Sequence, residues 1–364
     1  MNLKKLENTF KKISIKILNF FVYVKPYKTI HINNAKNILI VRQHDQLGDM
    51  LCSTPLFRAL KEKFPNSYIV LVYGPVNTCV VLDNPFLDEV IEYNNKKILK
   101  KYSLLFHFMK KLREKKYDFV VVPVTVSMSI TSDLIAFLSH SKYRIGALSL
   151  NGVSNQTAFL YNYTVPLDWR NVNSHQTKRN IDILKDFSID TDNYSLVIGL
   201  GEEELKYAED FYNKFHKEGK ISVGVHAGAG KLKNQWPAAK FGELIDILLQ
   251  KHNCEIFITV GPMENESIKY FYENYSDKVT FICEKSIKVV AAIIKKLSVF
   301  VTNDTGIMHL SAATSTPVVS LFGPTDPLQW APQNNKDKYL VSDNGDICNI
   351  SVNEVYLAIK NIIF

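Results

Sequence analysis

Four loops of this 364-residue chain hold the residue types that do chemistry. The first, Gln43-His-Asp-Gln-Leu-Gly-Asp49, opens an apolar helical stretch. Gly48 permits a tight turn, and Asp49 follows it at the helix start. A carboxylate there reads either as a general base or as an N-cap that bonds the free N–H groups. His44 and Asp45 are secondary candidates for the same role. The second loop, His226-Ala-Gly-Ala-Gly-Lys-Leu-Lys-Asn-Gln-Trp-Pro237, is glycine-rich. Glycines such as Gly228 let backbone amides approach an anion, and Lys231 and Lys233 supply point charges for phosphate. Its bland reading is a solvated loop before a helix whose first turn accepts Pro237. The loop is neither a Walker loop nor a GxGxxG fingerprint, which disfavours NTP hydrolysis and dinucleotide redox chemistry.

The third loop is the most specific. Asn303-Asp-Thr-Gly306 ends an apolar run and opens a second helical stretch. The free N–H groups at Thr305 and Gly306 form an anion site suited to a diphosphate. Asp304 repels phosphate, so it reads as an acceptor for sugar hydroxyls or as a plain cap. His226 and His309 join the donor-site candidates, although a lone histidine inside a helix is more often packed than catalytic. The fourth loop, Leu321-Phe-Gly-Pro-Thr-Asp-Pro327, reads alone as a turn beside the third.

These loops need elements to aim them. From residue 37, short Val- and Ile-rich runs alternate with amphipathic stretches. Strands are expected at 37–42, 67–73, 88–93, 117–123 and 143–147, with helices at 49–64, 98–114 and 128–139. The alternation pauses at 188–200. It restarts with strands at 221–225, 255–260, 298–302 and 317–322, and helices at 201–218, 237–251, 263–276, 286–296, 305–314 and 352–363. Such βα alternation predicts parallel sheets covered by helices, with ligands at the carboxyl ends of the strands. The expected domains are 1–35, a basic amphipathic extension; 36–195 and 196–345, two doubly wound Rossmann-like units facing a cleft; and 346–364, a terminal helix.

Composition fits a globular protein, with 46% hydrophobic and 22% charged residues. Five scattered cysteines without a CxxC pair argue against a disulfide framework or structural zinc. The net charge is +8, but seven lysines against the single acid Glu7 fall in residues 1–35. The basic balance therefore describes the extension, and nucleic acid is not an expected partner. In that extension Leu3, Leu6, Phe10, Ile13, Ile17, Phe20 and Val24 recur at helical steps, and Pro26 would end the helix. The apolar part is too short to span a membrane and lacks a small-residue cleavage site. It reads as a helix on an anionic membrane surface, or as one packed on the body or a partner.

Taken together, the chain resembles glycosyltransferase family nine, the ADP-heptose:lipopolysaccharide heptosyltransferases. ILIVRQHDQLGDMLCSTPLFRALKEKFP (38–65), GVHAGAGKLKNQWPAAKF (224–241), ITVGPMENE (258–266) and TNDTGIMHLSAATSTPVVSLFGPTDP (302–327) carry the resemblance, in the family's order. It implies a GT-B fold, an inverting mechanism, no metal and no cofactor. It also implies an acceptor bound mainly by the N-terminal domain and a nucleotide sugar bound mainly by the C-terminal domain. Asp49 then becomes the general base, Asp304 the donor-sugar contact, Thr305 and Gly306 the diphosphate site, and Glu264 a nucleotide contact. Two departures stand out. Asn234 occupies a position where the family often has lysine, and Gln43-His44-Asp45 replaces its Ser or Thr. Asp190-Thr-Asp192 spells a DxD metal signature, but it lies in the linker and reads as loop. The expected activity is transfer of heptose from ADP-heptose onto a lipopolysaccharide-core or related lipid-linked acceptor, by a cytoplasmic enzyme peripheral on the inner face of the membrane. The alternatives are a GT-B transferase that uses another nucleotide sugar for capsule or surface glycan, and a catalytically silent glycan-binding subunit.

Overall fold

A computed structural model describes residues 15–43, 46–98, 100–261, 265–284 and 286–363, with backbone alone at 265–267. It divides into two compact units. The first takes its described residues from 1–45, 55–78 and 85–192; the second comprises 46–54, 79–84 and 193–364.

The first unit is a sheet of β1 (Asn37–Arg42), β2 (Tyr68–Tyr73), β3 (Glu89–Glu92), β4 (Phe119–Val121), β5 (Tyr143–Leu150), β6 (Val153–Ser154) and β7 (Tyr163–Leu167). The order is β3-β2-β1-β4-β5, with β7 parallel and β6 antiparallel to β5. Ile38 to Val41 are fully buried, as a central strand covered on both faces requires. The second unit repeats the winding with β8 (Ile221–His226), β9 (Cys254–Thr259), β10 (Val279–Ile282), β11 (Val299–Asn303), β12 (Val318–Phe322) and β13 (Lys338–Val341), ordered β10-β9-β8-β11-β12-β13 and parallel throughout. Alternate residues of these strands feed two cores. Val223, Ile256, Val301 and Leu321 face one, and Phe257 and Phe300 face the other. Its strand order reverses between β8 and β11, and in open α/β sheets ligands bind at that point.

Several expectations need correction. The single helix expected at 49–64 is two: α1 (Leu47–Leu51) and a second at Thr54–Lys63. Pro55 has no N–H to give the carbonyl of Leu51, and the Thr54 hydroxyl takes that carbonyl instead, at 2.8 Å. The chain passes into the second unit at 46 and out of it at 55, so the first loop's helix belongs to the second unit. Strands β6, β7, β10 and β13 were not expected. β10 and β13 are half-buried or exposed edges without a full apolar run, and β7 carries Pro166. The helix expected at 98–114 is α2 (Tyr102–Leu112), preceded by a short turn of helix at Asn95–Ile98.

At the amino end, residues 15–21 are helical, while Leu3, Leu6, Phe10 and Ile13 lie outside the described residues. Ile30, Ile32 and Ala35 are buried, and the Tyr27 amide donates to Asn162 O at 2.7 Å. Residues 27–35 therefore pack into the first unit. The C-terminal helix packs Val355, Tyr356 and Ile359 into the second unit's core.

Candidate active site

The second unit gathers most of the sequence-derived candidates. At the end of β11, Asn303 is fully buried and ties the glycine-rich loop at both ends. Its Nδ2 donates to Ala227 O and Gly228 O at 2.9 and 3.0 Å, and its Oδ1 accepts the Trp236 amide at 3.0 Å. Trp236 is wholly buried, donates Nε1 to Ile350 O at 3.0 Å and meets Phe241 edge-on. The Trp-Pro pair is thus an anchor that fixes the loop's far end. His226 is buried at the end of β8, with Nδ1 2.9 Å from Thr259 Oγ1. The fourth loop lies directly on the second: a Cβ at Gly323 would stand 2.4 Å from Lys233 O, so only glycine fits.

Asp304 follows β11 with its amide bonded to Leu321 O at 3.0 Å. It is not the cap of the next helix, α3 (Gly306–Ala313), because Thr305 holds that position in extended conformation. The Asp304 carboxylate instead accepts Asn234 Nδ2 at 3.0 Å, and Asn234 also reaches Thr325 Oγ1 at 3.3 Å. Burial pushes the Asp304 carboxyl upward, while the Thr325 hydroxyl and the Lys231 charge oppose this. Of the two candidate lysines, Lys231 is the one whose charge acts on Asp304, and both are exposed. Around Asp304, two buried oxygens have no partner among the described residues: Asn234 Oδ1 and Thr305 Oγ1. Both flank Asp304, where a bound ligand could supply hydroxyl donors. The side chain of Thr305 makes no cap bond to α3, whose first amides point away from the helix body.

Asp49 lies in the first turn of α1, whose N-cap position is Gln46. The helix α1 packs against α3. A Cβ at Gly48 would lie 2.6 Å from His309 Cδ2, and one at Gly306 would lie 3.4 Å from the Leu47 side chain. His309 is buried, 3.7 Å by Nδ1 from Cys52 Sγ and edge-on to Trp330. It is therefore a spacer between the two helices, which is the packed reading of that residue. The carboxylate candidate and the candidate anion site at the start of α3 thus sit on neighbouring helices of one unit. His44, Asp45 and Glu264 fall outside the described residues. Asp190 pairs with Lys178, in keeping with its reading as loop.

Two doubly wound parallel sheets, with a helix start and a half-shielded carboxylate at the switch point of one, are the arrangement of a GT-B sugar transferase. Residues 105–356 match glycosyltransferase family 9 (heptosyltransferase), and the chain belongs to that family. It is 26% identical over 331 residues to lipopolysaccharide heptosyltransferase 3 of Escherichia coli, covering 86% of this chain and 92% of that protein. The fold matches a glycosyltransferase family 9 protein of Veillonella parvula at a TM-score of 0.80 and 22% identity, over 92% of this chain and 98% of the other. It matches the E. coli heptosyltransferase WaaC, solved with ADP, at 0.72 and 19% identity, over 89% and 99%.

The sequence pointed to Asp49, Asp304, Thr305, Gly306, Gly228 and Lys231, but it missed Asn303 and Thr325. Asn303 looked like the tail of a strand. Only the pairing of β11 with β8 brings it under the glycine-rich loop.

Proposed function

We propose that the chain is an inverting heptosyltransferase that moves heptose from ADP-heptose onto a lipopolysaccharide-core or related glycolipid acceptor, at the inner face of the cytoplasmic membrane. The observation that supports this reading is the packing of α1 on α3, in which Leu47 and Gly48, the two residues before Asp49, lie against Gly306 and His309. Asp49 takes the proton of the acceptor hydroxyl as that oxygen attacks the anomeric carbon. The bond to the diphosphate breaks on the opposite face, and the departing charge meets the α3 amides and Lys231. A positioned base contributes roughly a hundred- to ten-thousand-fold. Preorganised donors at the leaving group act where charge develops, so the helix start and Lys231 can manage the diphosphate without a metal. Asp304, backed by Asn234 and Thr325, accepts from donor-sugar hydroxyls.

The membrane assignment is supported by the exposure of Phe20, Phe21 and Tyr23, beside the lysines of the amino-terminal stretch. Among the described residues no helix is long and apolar enough to cross a membrane. Gln43-His44-Asp45, where the family often has Ser or Thr, is the feature that favours the second reading, a transferase for a different nucleotide sugar.

A thermal-shift screen of ADP-heptose against UDP- and GDP-sugars tests the donor. A ligand that binds only the folded state stabilises it by about 2.7 kcal/mol at a hundred times its Kd. ADP-heptose should raise the melting temperature where UDP- and GDP-sugars do not. A shift with a UDP- or GDP-sugar alone would replace the donor.

A further inference from the structure

One surface of the first unit has no part in donor chemistry. Helix α2 buries Phe108 and Leu112 and sets Phe108 edge-on to Tyr93. Its opening half does the reverse. Residues 100–107 are all exposed, among them Tyr102 at 84%, Leu104 at 37%, Leu105 at 40% and Phe106 at 74%. Four large apolar side chains within five positions on one exposed helix are unusual for a surface that stays in water.

The charge around them is one-sided. Residues 95–116 hold nine Lys and Arg against the single acid Glu114. Lys111 and Lys115 pair with Glu89, and Arg113 donates to Leu138 O. Lys96, Lys97, Lys100, Lys101, Lys110 and Lys116 are exposed and have no acidic partner among the described residues. The low net charge of the body after residue 35 thus conceals a local excess. Aromatic and Leu side chains ringed by unpaired lysines match the headgroup boundary of an anionic bilayer, where rings sit at the interface and ammonium groups meet lipid phosphate.

We propose that the exposed half of α2 is a second membrane-contact surface, which takes anionic phospholipid and acts independently of the amino-terminal stretch. This rests on the reading that the enzyme works at a membrane, and it adds a contact that orients the first unit there.

The test uses the full chain, sedimented with phosphatidylethanolamine–phosphatidylglycerol vesicles and, separately, with phosphatidylcholine vesicles. Three variants are compared: Tyr102→Ser with Phe106→Ser; Lys96, Lys97, Lys100 and Lys101 each to Gln; and Phe20→Ser with Phe21→Ser. The first should lower the partition coefficient on both lipids by roughly tenfold or more. The second should weaken binding to the anionic vesicles roughly fivefold per lysine and leave phosphatidylcholine binding unchanged. All these side chains are exposed, so melting temperatures should match the wild type. If both α2 variants sediment like the wild type while the Phe20/Phe21 variant is released, α2 is not a lipid contact and the tether alone remains. If the wild type does not sediment at all, the membrane reading falls, and this surface with it. Loss of a dimer on size-exclusion in the Tyr102/Phe106 variant, without loss of vesicle binding, would make the surface a protein interface and overturn the proposal.

Discussion

Asp304 is a carboxylate kept in a place that disfavours its charge. Burial raises its pKa, and Asn234, Thr325 and Lys231 are the groups that make the site tolerable. Such a carboxylate suits a neutral partner rich in hydroxyls better than a phosphate. Asp304→Ala should therefore weaken the sugar nucleotide roughly ten- to a hundredfold, the worth of one or two hydrogen bonds to a charged group, and leave ADP within a few-fold. Calorimetry with both ligands reads the difference, and equal losses would detach Asp304 from the sugar. The lysines should separate in the same way. Lys231→Ala should cost about three- to fivefold in ADP affinity and Lys233→Ala under twofold, since of the two only Lys231 acts electrostatically on Asp304. The reverse order would place the phosphates on the other side of the loop.

At the scale of elements, the site depends on how closely α1 approaches α3. Gly48→Ala would push a methyl against the His309 ring and move α1 outward, taking Asp49 with it. A misplacement of about 1 Å costs on the order of a hundredfold in rate. Transfer should fall by that order while donor affinity holds, as single-turnover and binding measurements would show; unchanged transfer would mean that α1 adapts. A second element has a built-in pH dependence. Asp337 accepts the Val318 amide at the start of β12 and the Asn334 amide, yet burial pushes its carboxyl up to about 6 from an ordinary 3.8. The folded state holds this proton more tightly, so the contribution is full below pH 3.8 and is lost as pH rises through 6. Over that interval the wild type should lose up to about 3 kcal/mol from this group, a loss that Asp337→Asn should not show. Urea melts from pH 4 to 7 decide it, and parallel curves would locate the titration elsewhere. The central strands were legible because burial on both faces demands unbroken Val, Ile and Leu. The edge strands β10 and β13 were not, since one exposed side permits Thr- or Lys-containing sequences that look like loop. The helix break at Pro55 was legible in principle, because a proline seven residues into a helix cannot close its turn, but the apolar steps that run across it suggested one element.

At the scale of the whole molecule, a parallel α/β design places its loops at the strand ends, and so the chemistry could be found by reading the residues after each apolar run. Spatial order was harder to read. That residues 46–54 join the second unit, and that Asn303 and Thr325 complete the site around Asp304, follows from strand order and packing that no local pattern encodes. The amino-terminal stripe and α2 look alike in sequence, as apolar residues among lysines, but only exposure separates the buried half of α2 from the half left in solvent. Site and fold meet in one claim: a base on α1 activates an acceptor while the start of α3 receives the departing diphosphate. The direct measurement is transfer from ADP-heptose to a deacylated lipopolysaccharide-core acceptor by the full chain and by Asp49→Asn, with donor affinity measured on the same preparations. The wild type should form a product with inverted anomeric configuration. Asp49→Asn should bind donor almost as well and transfer roughly a hundred- to ten-thousand-fold more slowly. Wild-type-like transfer by Asp49→Asn, or a product that retains configuration, would contradict the account.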